Sequence, residues 1–305
     1  MPISPTPKIW MNGTMVDWEQ AQVHVLTHTL HYGTGVFEGI RAYETADGPA
    51  VFRLTDHIVR LENSAKILGM ELPYTVEELI AATKETVAST GLGSCYVRPI
   101  AYLGYGEMGL NTLPCQVDVA IACWPWGAYL GDDAVTKGVR LKISSWTRHE
   151  HNTMPPAAKT VGNYVNSSLA KVEALKAGYD EAIMLAPNGL VAECTGENIF
   201  VARHGMLLTP PLSAGALEGI TQHSVMTIAR DLGIDCRVDN IARSDLYIAE
   251  EMFLCGTAAE ISSVNSVDDR AIPCPGDATK AIAETYARAV RGEEPRYKDW
   301  CELAA

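Results

Sequence analysis

The sequence predicts an α+β fold in two domains, with antiparallel meanders packed by helices. Three observations lead there. At 305 residues the chain exceeds what one hydrophobic core ordinarily organises. Short apolar runs joined by Asn-Gly, Asp-Gly and His-Gly pairs recur along it, as hairpins require. Helical periodicity with capping residues intervenes between these runs.

In chain order, KIWMNGTMVDW holds an Asn-Gly pair between apolar runs and reads as a hairpin. QVHVL alternates like a strand. HYGTGVFEGIRAYETADGPAVFRL is extended and aromatic, is punctuated by Gly33, Gly35 and Gly39, and turns at Asp47-Gly48. Thr55 caps a helix carrying His57, Arg60, Leu61 and Ile67. Thr75 and Glu78 form a capping box for a second helix that ends near Thr90-Gly91. CYVRPIAYLG puts Tyr96, Arg98 and Ile100 on one strand face, and QVDVAIACWPW follows as another strand. WPWGAYLGDDA reads as a hinge, which gives a smaller domain at 1–126, a loop at 127–135 and a larger domain at 136–305. The larger domain opens with a strand at Val139 to Ser145. A helix from about Asn163 to Ala177 has Leu169, Val172 and Leu175 on one face. EAIMLAPNGLVAECTGENIFVARHGMLLTP is a four-strand meander, and helix GITQHSVMTIARDLGI begins just past Gly219. Strands CRVDN and EMFLCG, a short helix near Asp245 to Ala249 between them, and a helix at Asp277 to Arg291 complete the chain.

Composition narrows the partners. Apolar residues make up 47% and charged residues 20%, and no stretch is long and apolar enough to span a bilayer. The opening MPISPTPKIWMNG lacks a basic head and apolar run, so the expected location is the cytoplasm. A net charge of −13 argues against nucleic acid or an anionic membrane as partner. The eight cysteines form no CxxC pair and read as reduced core thiols.

A few residues stand out chemically. Lys159 is the only lysine between Ile143 and Ala170, set in MPPAAKTVGNY among small and apolar residues, with Tyr164 five positions on. Desolvation there favours a neutral, nucleophilic amine able to form an imine with pyridoxal phosphate. A loop lysine in a Pro-rich connection would leave the same letters. Glu193 is a carboxylate in an apolar strand, where a pyridinium would pair it. Gly219-Ile220-Thr221 and Gly256-Thr257 are helix-start sequences suited to an anion or to ordinary capping. Arg60 is a helical cation. Arg98, between Val97 and Pro99, demands a partner, and a ligand carboxylate fits. His24, His28 and His31 have metal-like helical spacing, but the strand expected there would break the register. His149-Glu150-His151 is a weak loop cluster, and no metal is expected.

Together, HYGTGVFEGIRAY, YVRP, WPWGAYLG, AAKTVGNY, AECTGENIF, ALEGITQ and GTAAEI resemble, in order and spacing, the branched-chain amino-acid aminotransferases of fold type IV. The match runs from about Ile9 to Val264. The resemblance implies a β-barrel-like larger domain and pyridoxal 5'-phosphate as cofactor. It also implies transamination of branched-chain L-amino acids with 2-oxoglutarate, so the partners are small amino acids and 2-oxo acids. Lys159 is then the catalytic lysine and Glu193 meets the pyridine nitrogen. Tyr164 lies near the ring oxygen and Leu217 against the ring. Arg60, Gly219, Ile220, Thr221, Gly256 and Thr257 surround the phosphate. The donor's carboxylate is implied to meet Tyr96, Thr257 and Ala258. Phe37, Gly39, Leu110, Trp126, Tyr129 and Tyr164 shape the side-chain pocket. Arg98, helped by Tyr32, takes the second carboxylate of glutamate. A homodimer at least is implied, with a hexamer left open, because the site borrows the Tyr32 region from a neighbouring subunit. The chain departs from the family's common letters at Cys194 and Glu218. Rival activities of the same fold are D-amino-acid transamination, (R)-amine transamination and aminodeoxychorismate lysis.

Overall fold

The computed structural model describes residues 3–127, 130 and 134–304. By contacts the chain forms two compact units. The first is Met1–Gly127, Ala158–Asn163 and Arg288–Ala305, and the second is Ala128–Ala157 and Tyr164–Ala287. This differs from a division into two consecutive stretches at 127–135, because the Lys159 segment and the C-terminus group with the N-terminal residues.

In the first unit, β1 (Lys8–Met11) and β2 (Thr14–Asp17) form the expected hairpin, with Asn12 and Gly13 both at positive φ, as a tight turn between twisted strands needs. Residues 21–26 form no strand, so QVHVL does not do what its alternation predicts. A short α1 (His28–Tyr32) follows instead. Then come β3 (Gly35–Phe37), β4 (Ile40–Thr45), β5 (Gly48–Phe52), α2 (Leu54–Ile67), α3 (Val76–Ser89), β6 (Cys95–Leu103) and β7 (Val117–Trp124). With a last strand, Cys301–Leu303, these make an eight-stranded sheet in which β6 pairs with β3, β4 and β7.

Helix α2 begins two residues earlier than a Thr55 cap implies. Its N-cap is Arg53 in the left-handed region, and Thr55 instead bonds Glu302 through both its N–H and its hydroxyl. The capping box on α3 is present, with reciprocal Thr75–Glu78 bonds of 3.2 and 2.8 Å. Leu54, Ile58, Leu61 and Ala65 form the apolar stripe of α2 and join Ile40, Val51, Val97 and Ile121 of the sheet in one core. Burying each large side chain contributes about 1.5–3 kcal/mol.

The second unit contains β8 (Val139–Ile143), α4 (Tyr164–Lys176), β9 (Glu181–Leu185), β10 (Val191–Cys194), β11 (Asn198–Arg203) and β12 (Met206–Thr209). It continues with α5 (Ile220–Asp231), β13 (Cys236–Val238), α6 (Arg243–Tyr247), β14 (Glu251–Gly256), β15 (Glu260–Val267) and β16 (Arg270–Ala271). Helix α7 (Asp277–Ala289) follows. Its nine strands form a mixed sheet, and one of the protein's two sheets curls into a half-barrel. The meander expectation is corrected at three pairings, β8–β9, β8–β15 and β12–β13, which are parallel. The first is forced by α4, whose length lets the chain cross back before β9 begins.

Helix α4 also turns a different face inward. Leu169, Val172 and Leu175 are exposed, whereas Ala170 and Ala174 pack on Ala182 and Met184 of β9. Small side chains let the helix lie close to the strand, and that contact outweighs the more apolar stripe. All eight cysteines are free, but only Cys95, Cys123, Cys194 and Cys255 are fully buried, so the core-thiol reading fits half of them.

Candidate active site

The first unit assembles a buried charge cluster from α2 and the β3–β4 connection. His57 and Arg60 lie three residues apart and so share a helical face. Glu38, between Phe37 and Gly39, receives both. Its Oε1 accepts from Arg60 Nε at 2.7 Å, and its Oε2 accepts from Arg60 Nη2 at 2.8 Å and lies 2.7 Å from His57 Nδ1. Burial alone would push the Glu38 carboxyl up, but the Arg60 charge and the bonds from both partners hold it well below the usual carboxylate range. Burial pushes His57 down; Glu38 opposes this, and the charges of Arg60 and Lys159 reinforce it. His57 is therefore a neutral donor, and Arg60 is the cation that fixes Glu38.

Lys159 is held by its backbone. Its N–H donates to Ser64 Oγ of α2 at 3.1 Å, and its carbonyl accepts from Phe37 N of β3 at 3.0 Å. The next residue, Thr160, bridges to Val36. The half-buried ammonium sits 5.3 Å from the centre of the Phe37 ring.

On β6, Arg98 lies among aromatic rings. Its guanidinium is 4.7 Å from the Phe37 centroid, 5.3 Å from Tyr96 and 5.8 Å from Trp124. One terminal nitrogen donates to the Tyr96 hydroxyl at 3.2 Å, while Nε is buried and has no hydrogen-bond partner among the described residues. A Cβ at Gly39 would collide with that hydroxyl, so glycine makes room for Tyr96. The Trp126 ring lies tilted against Tyr96, with centroids 4.5 Å apart and planes at 34°. The structure thus gathers Phe37, Gly39, Tyr96, Arg98 and Trp126. It does not bring Tyr32 or Leu110 into this group: they are 42% and 88% exposed. Tyr129 lies outside the described residues.

The second unit builds its cluster on β10. The pairing with β9 shifts register between Val191 and Glu193. The Glu193 carboxylate meets Arg148 Nη2 at 2.6 Å through Oε1 and accepts from Leu217 N at 2.9 Å through Oε2. Asn198 donates to the Leu217 carbonyl at 3.1 Å, so that residue is fixed on both sides. Four residues on from Glu193, Glu197 is fully buried. Burial, and then the charge of Glu181, raise its carboxyl well above the ordinary range.

Helix α5 starts with Gly219 as its N-cap and has no side-chain cap there. A Cβ on Gly219 would collide with Asn198 Oδ1. Ile220 and Thr221 follow, both buried, and N–H groups at such a terminus favour an anion. Gly256 ends β14, and Thr257 and Ala258 form the half-buried turn into β15. Tyr164 is the half-buried first residue of α4.

Each histidine of the metal-like spacing has a partner of its own. His28 meets Thr34 Oγ1 and the Gly109 carbonyl, His31 meets the Val25 carbonyl, and His24 accepts from Leu26 N. Among the described residues no group of His, Cys, Asp or Glu is arranged to hold a metal ion. Sequence reasoning passed over Glu38 and Arg148. A carboxylate between an aromatic residue and glycine was a usable signal for Glu38. Arg148 had none, because Arg-His-Glu-His reads as a solvated loop.

The family model for amino-transferase class IV matches residues 35–267, and the chain belongs to that family. It is 44% identical over 297 residues to a branched-chain-amino-acid aminotransferase of Pseudomonas aeruginosa, covering 97% of this chain and 96% of that one. A branched-chain-amino-acid aminotransferase of Escherichia coli K12 is also 44% identical, with 96% of each chain covered. Among solved structures, a T.th. branched-chain amino acid aminotransferase complexed with N-(5'-phosphopyridoxyl)-L-glutamate aligns with a TM-score of 0.95 at 48% identity, covering 100% of both chains.

Proposed function

We propose that this chain is a pyridoxal-phosphate-dependent transaminase. It moves the amino group of leucine, isoleucine or valine to 2-oxoglutarate and yields the branched 2-oxo acid and L-glutamate in two half-reactions. The relatives named above are branched-chain-amino-acid aminotransferases by name, which supports the reaction class and the donor. The residues present fit the cofactor: the start of α5 has no side-chain cap and is closed to a Cβ, and Glu193 is a buried carboxylate of fixed orientation.

Pyridoxal phosphate, when bound, supplies an aldehyde for covalent attachment to an amine and a ring that takes up electron density from the reacting carbon. In this reading Lys159 would hold the cofactor in the resting protein; once the donor's amine has displaced Nζ, the freed amine would take the proton from substrate Cα and deliver it to the carbon that receives the amino group. Glu193 accepts the ring N–H. Tyr164 and Leu217 orient the ring. Arg60, Gly219, Ile220, Thr221, Gly256 and Thr257 hold the phosphate. Tyr96, Thr257 and Ala258 receive the donor's α-carboxylate, while Phe37, Gly39, Trp126 and Tyr129 shape the space for an aliphatic side chain.

The observation that carries the choice of substrates is Arg98. A guanidinium ringed by Phe37, Tyr96 and Trp124, with Nε buried and unpartnered among the described residues, calls for a carboxylate that arrives with the substrate. An aliphatic donor and a dicarboxylic acceptor can then share one aromatic pocket.

A homodimer at least belongs to this reading, with Tyr32 and Leu110 serving a neighbouring subunit. Val25, Leu30, Tyr32, Leu110 and Leu113 are exposed large apolar side chains of the kind a neighbouring subunit would cover. Among the described residues no helix is long and apolar enough to cross a membrane, and a cytoplasmic location is part of the proposal.

The test is spectroscopic and kinetic. The purified holoenzyme should lose its visible cofactor band on addition of L-leucine, and borohydride reduction should fix the cofactor to Lys159 on peptide mapping. Turnover of D-alanine or (R)-phenylethylamine with 2-oxoglutarate, together with failure on leucine, would reverse the choice of substrate.

A further inference from the structure

We infer that Arg148 is a positioning residue for the proposed cofactor site, holding Glu193 as an oriented carboxylate and tying it to the segments that carry Tyr164 and the α5 anion site. The inference rests on the reading of Glu193 as the ring-nitrogen partner.

Arg148 is only 6% exposed. Its backbone N–H is pinned to the Leu185 carbonyl of β9 at 2.9 Å, and its guanidinium spreads over three segments. Nη2 meets Glu193 Oε1 of β10 at 2.6 Å. Nε donates to the carbonyl of Gly215 at 3.3 Å, two residues before Leu217 and four before the N-cap of α5. Nη1 donates to Ser167 Oγ at 3.3 Å, in the first turn of the helix that Tyr164 opens.

The distances rank these contacts. A charge-assisted bond at 2.6 Å is strong, whereas bonds at 3.3 Å to a neutral carbonyl and a hydroxyl are at the weak end. Burying a guanidinium is costly, and a well-packed apolar residue would stabilise such a position as well or better. Stability alone therefore does not account for an arginine here, and Glu193 does.

Removing the guanidinium would leave the Glu193 carboxylate held on one oxygen only, by the Leu217 N–H, and free to turn away from a ring N–H. With Arg148 on one oxygen and Leu217 N on the other, Glu193 has two settled bonds, and its remaining lone pairs have a fixed direction. Neighbouring His149 adds no competing charge, since burial and then the Arg148 charge push it down to about 4.

The test is a double-mutant cycle on the holoenzyme with R148Q, E193Q and the pair. Its readouts are the dissociation constant for pyridoxal phosphate, the thermal midpoint of the apo-protein, and kcat and KM measured separately. R148Q is expected to weaken cofactor binding about tenfold and to lower kcat more than it raises KM, as loss of a partner that orients a binding group does elsewhere. In the E193Q background the same change is expected to cost less than about twofold, because the partner is gone. R148K keeps the charge without the fork; it is expected to restore part of the affinity, and it replaces R148Q in the cycle if R148Q does not fold. Losses that multiply in the double variant, or cofactor affinity unchanged in R148Q, would overturn the role of Arg148 while leaving that of Glu193 standing. Parental affinity in E193Q would remove the reading of Glu193 first, and the inference with it.

Discussion

Two buried carboxylate–guanidinium pairs occupy the two units, and they are inverted copies of one device. In the first unit, Glu38 is the closed member. Its side chain has no exposure, and Arg60 Nε, Arg60 Nη2 and His57 Nδ1 take up both of its oxygens. Arg60, the residue proposed to meet the phosphate, is the more open partner at 13%. In the second unit the cation is the holder: Arg148 is spread over Glu193, Gly215 and Ser167, and the acid is the residue proposed to meet the ligand. The protein holds a site cation with an acid and a site acid with a cation, so each pair stays near neutral before a ligand arrives. Glu197 is the contrasting case. It is buried too but forms no ion pair among the described residues; its Oε2 accepts from Gly196 N at 3.2 Å, and burial and then the Glu181 charge raise it more than the Lys171 charge lowers it. Burial by itself therefore does not decide how a carboxylate behaves. The nearest charge does.

Breaking the first pair should have the largest effect. E38A strands a buried guanidinium and is expected to cost about 3–5 kcal/mol of stability by urea unfolding, together with cofactor affinity. The double variant E38M/R60M removes both charges and should recover most of that stability while still binding pyridoxal phosphate weakly. If it stays as unstable as E38A, the pair is not a charge balance. Because the folded Glu38 carboxyl lies below its ordinary value of 4.5, its contribution is complete above that pH and is lost as pH falls below it. E38M/R60M should accordingly show a shallower loss of stability in acid than the parent protein.

Arg98 sharpens the comparison as a third guanidinium, surrounded by rings in place of an acid. Its carboxylate is expected from the substrate, so R98Q should raise KM for 2-oxoglutarate by about two orders of magnitude and change KM for leucine by less than about threefold. An equal rise for both substrates would mean that Arg98 shapes the pocket without reading the second carboxylate.

The smallest effect is predicted at Glu197. A raised acid favours the native state below its ordinary value and works against it as pH climbs from about 4.5 towards the raised value. E197Q should thus unfold a few degrees higher than the parent at about pH 8 and at the same temperature at about pH 4. A lower midpoint in the alkaline sample would show that Glu197 is a paired anion like Glu38.

How much of this was legible depended on the range of the interactions. The hairpin turn at Asn12-Gly13 and the box joining Thr75 to Glu78 are settled within four residues, and the letters predict them correctly. Lys159, Arg98 and Glu193 stood out as lone charges in apolar text. Helix α4 shows the limit of periodicity. Its stripe of Leu169, Val172 and Leu175 satisfies the pattern for a core face, but a pattern does not name the surface a helix meets, and Ala170 and Ala174 allow the closer approach to β9. QVHVL failed in the same way, because alternation provides no neighbouring strand.

The sequence by itself determined the kinds of element, most of their turns and caps, and the set of unusual charges, since these follow from side-chain chemistry and spacing over one or two turns of chain. Only the tertiary structure decided which charge holds which. Glu38 finds Arg60 22 positions away, and Arg148 finds Gly215 67 positions away. Partner choice over such distances depends on how sheets and helices carry the backbone back on itself, and the cost of leaving a buried charge unpaired then selects the partner.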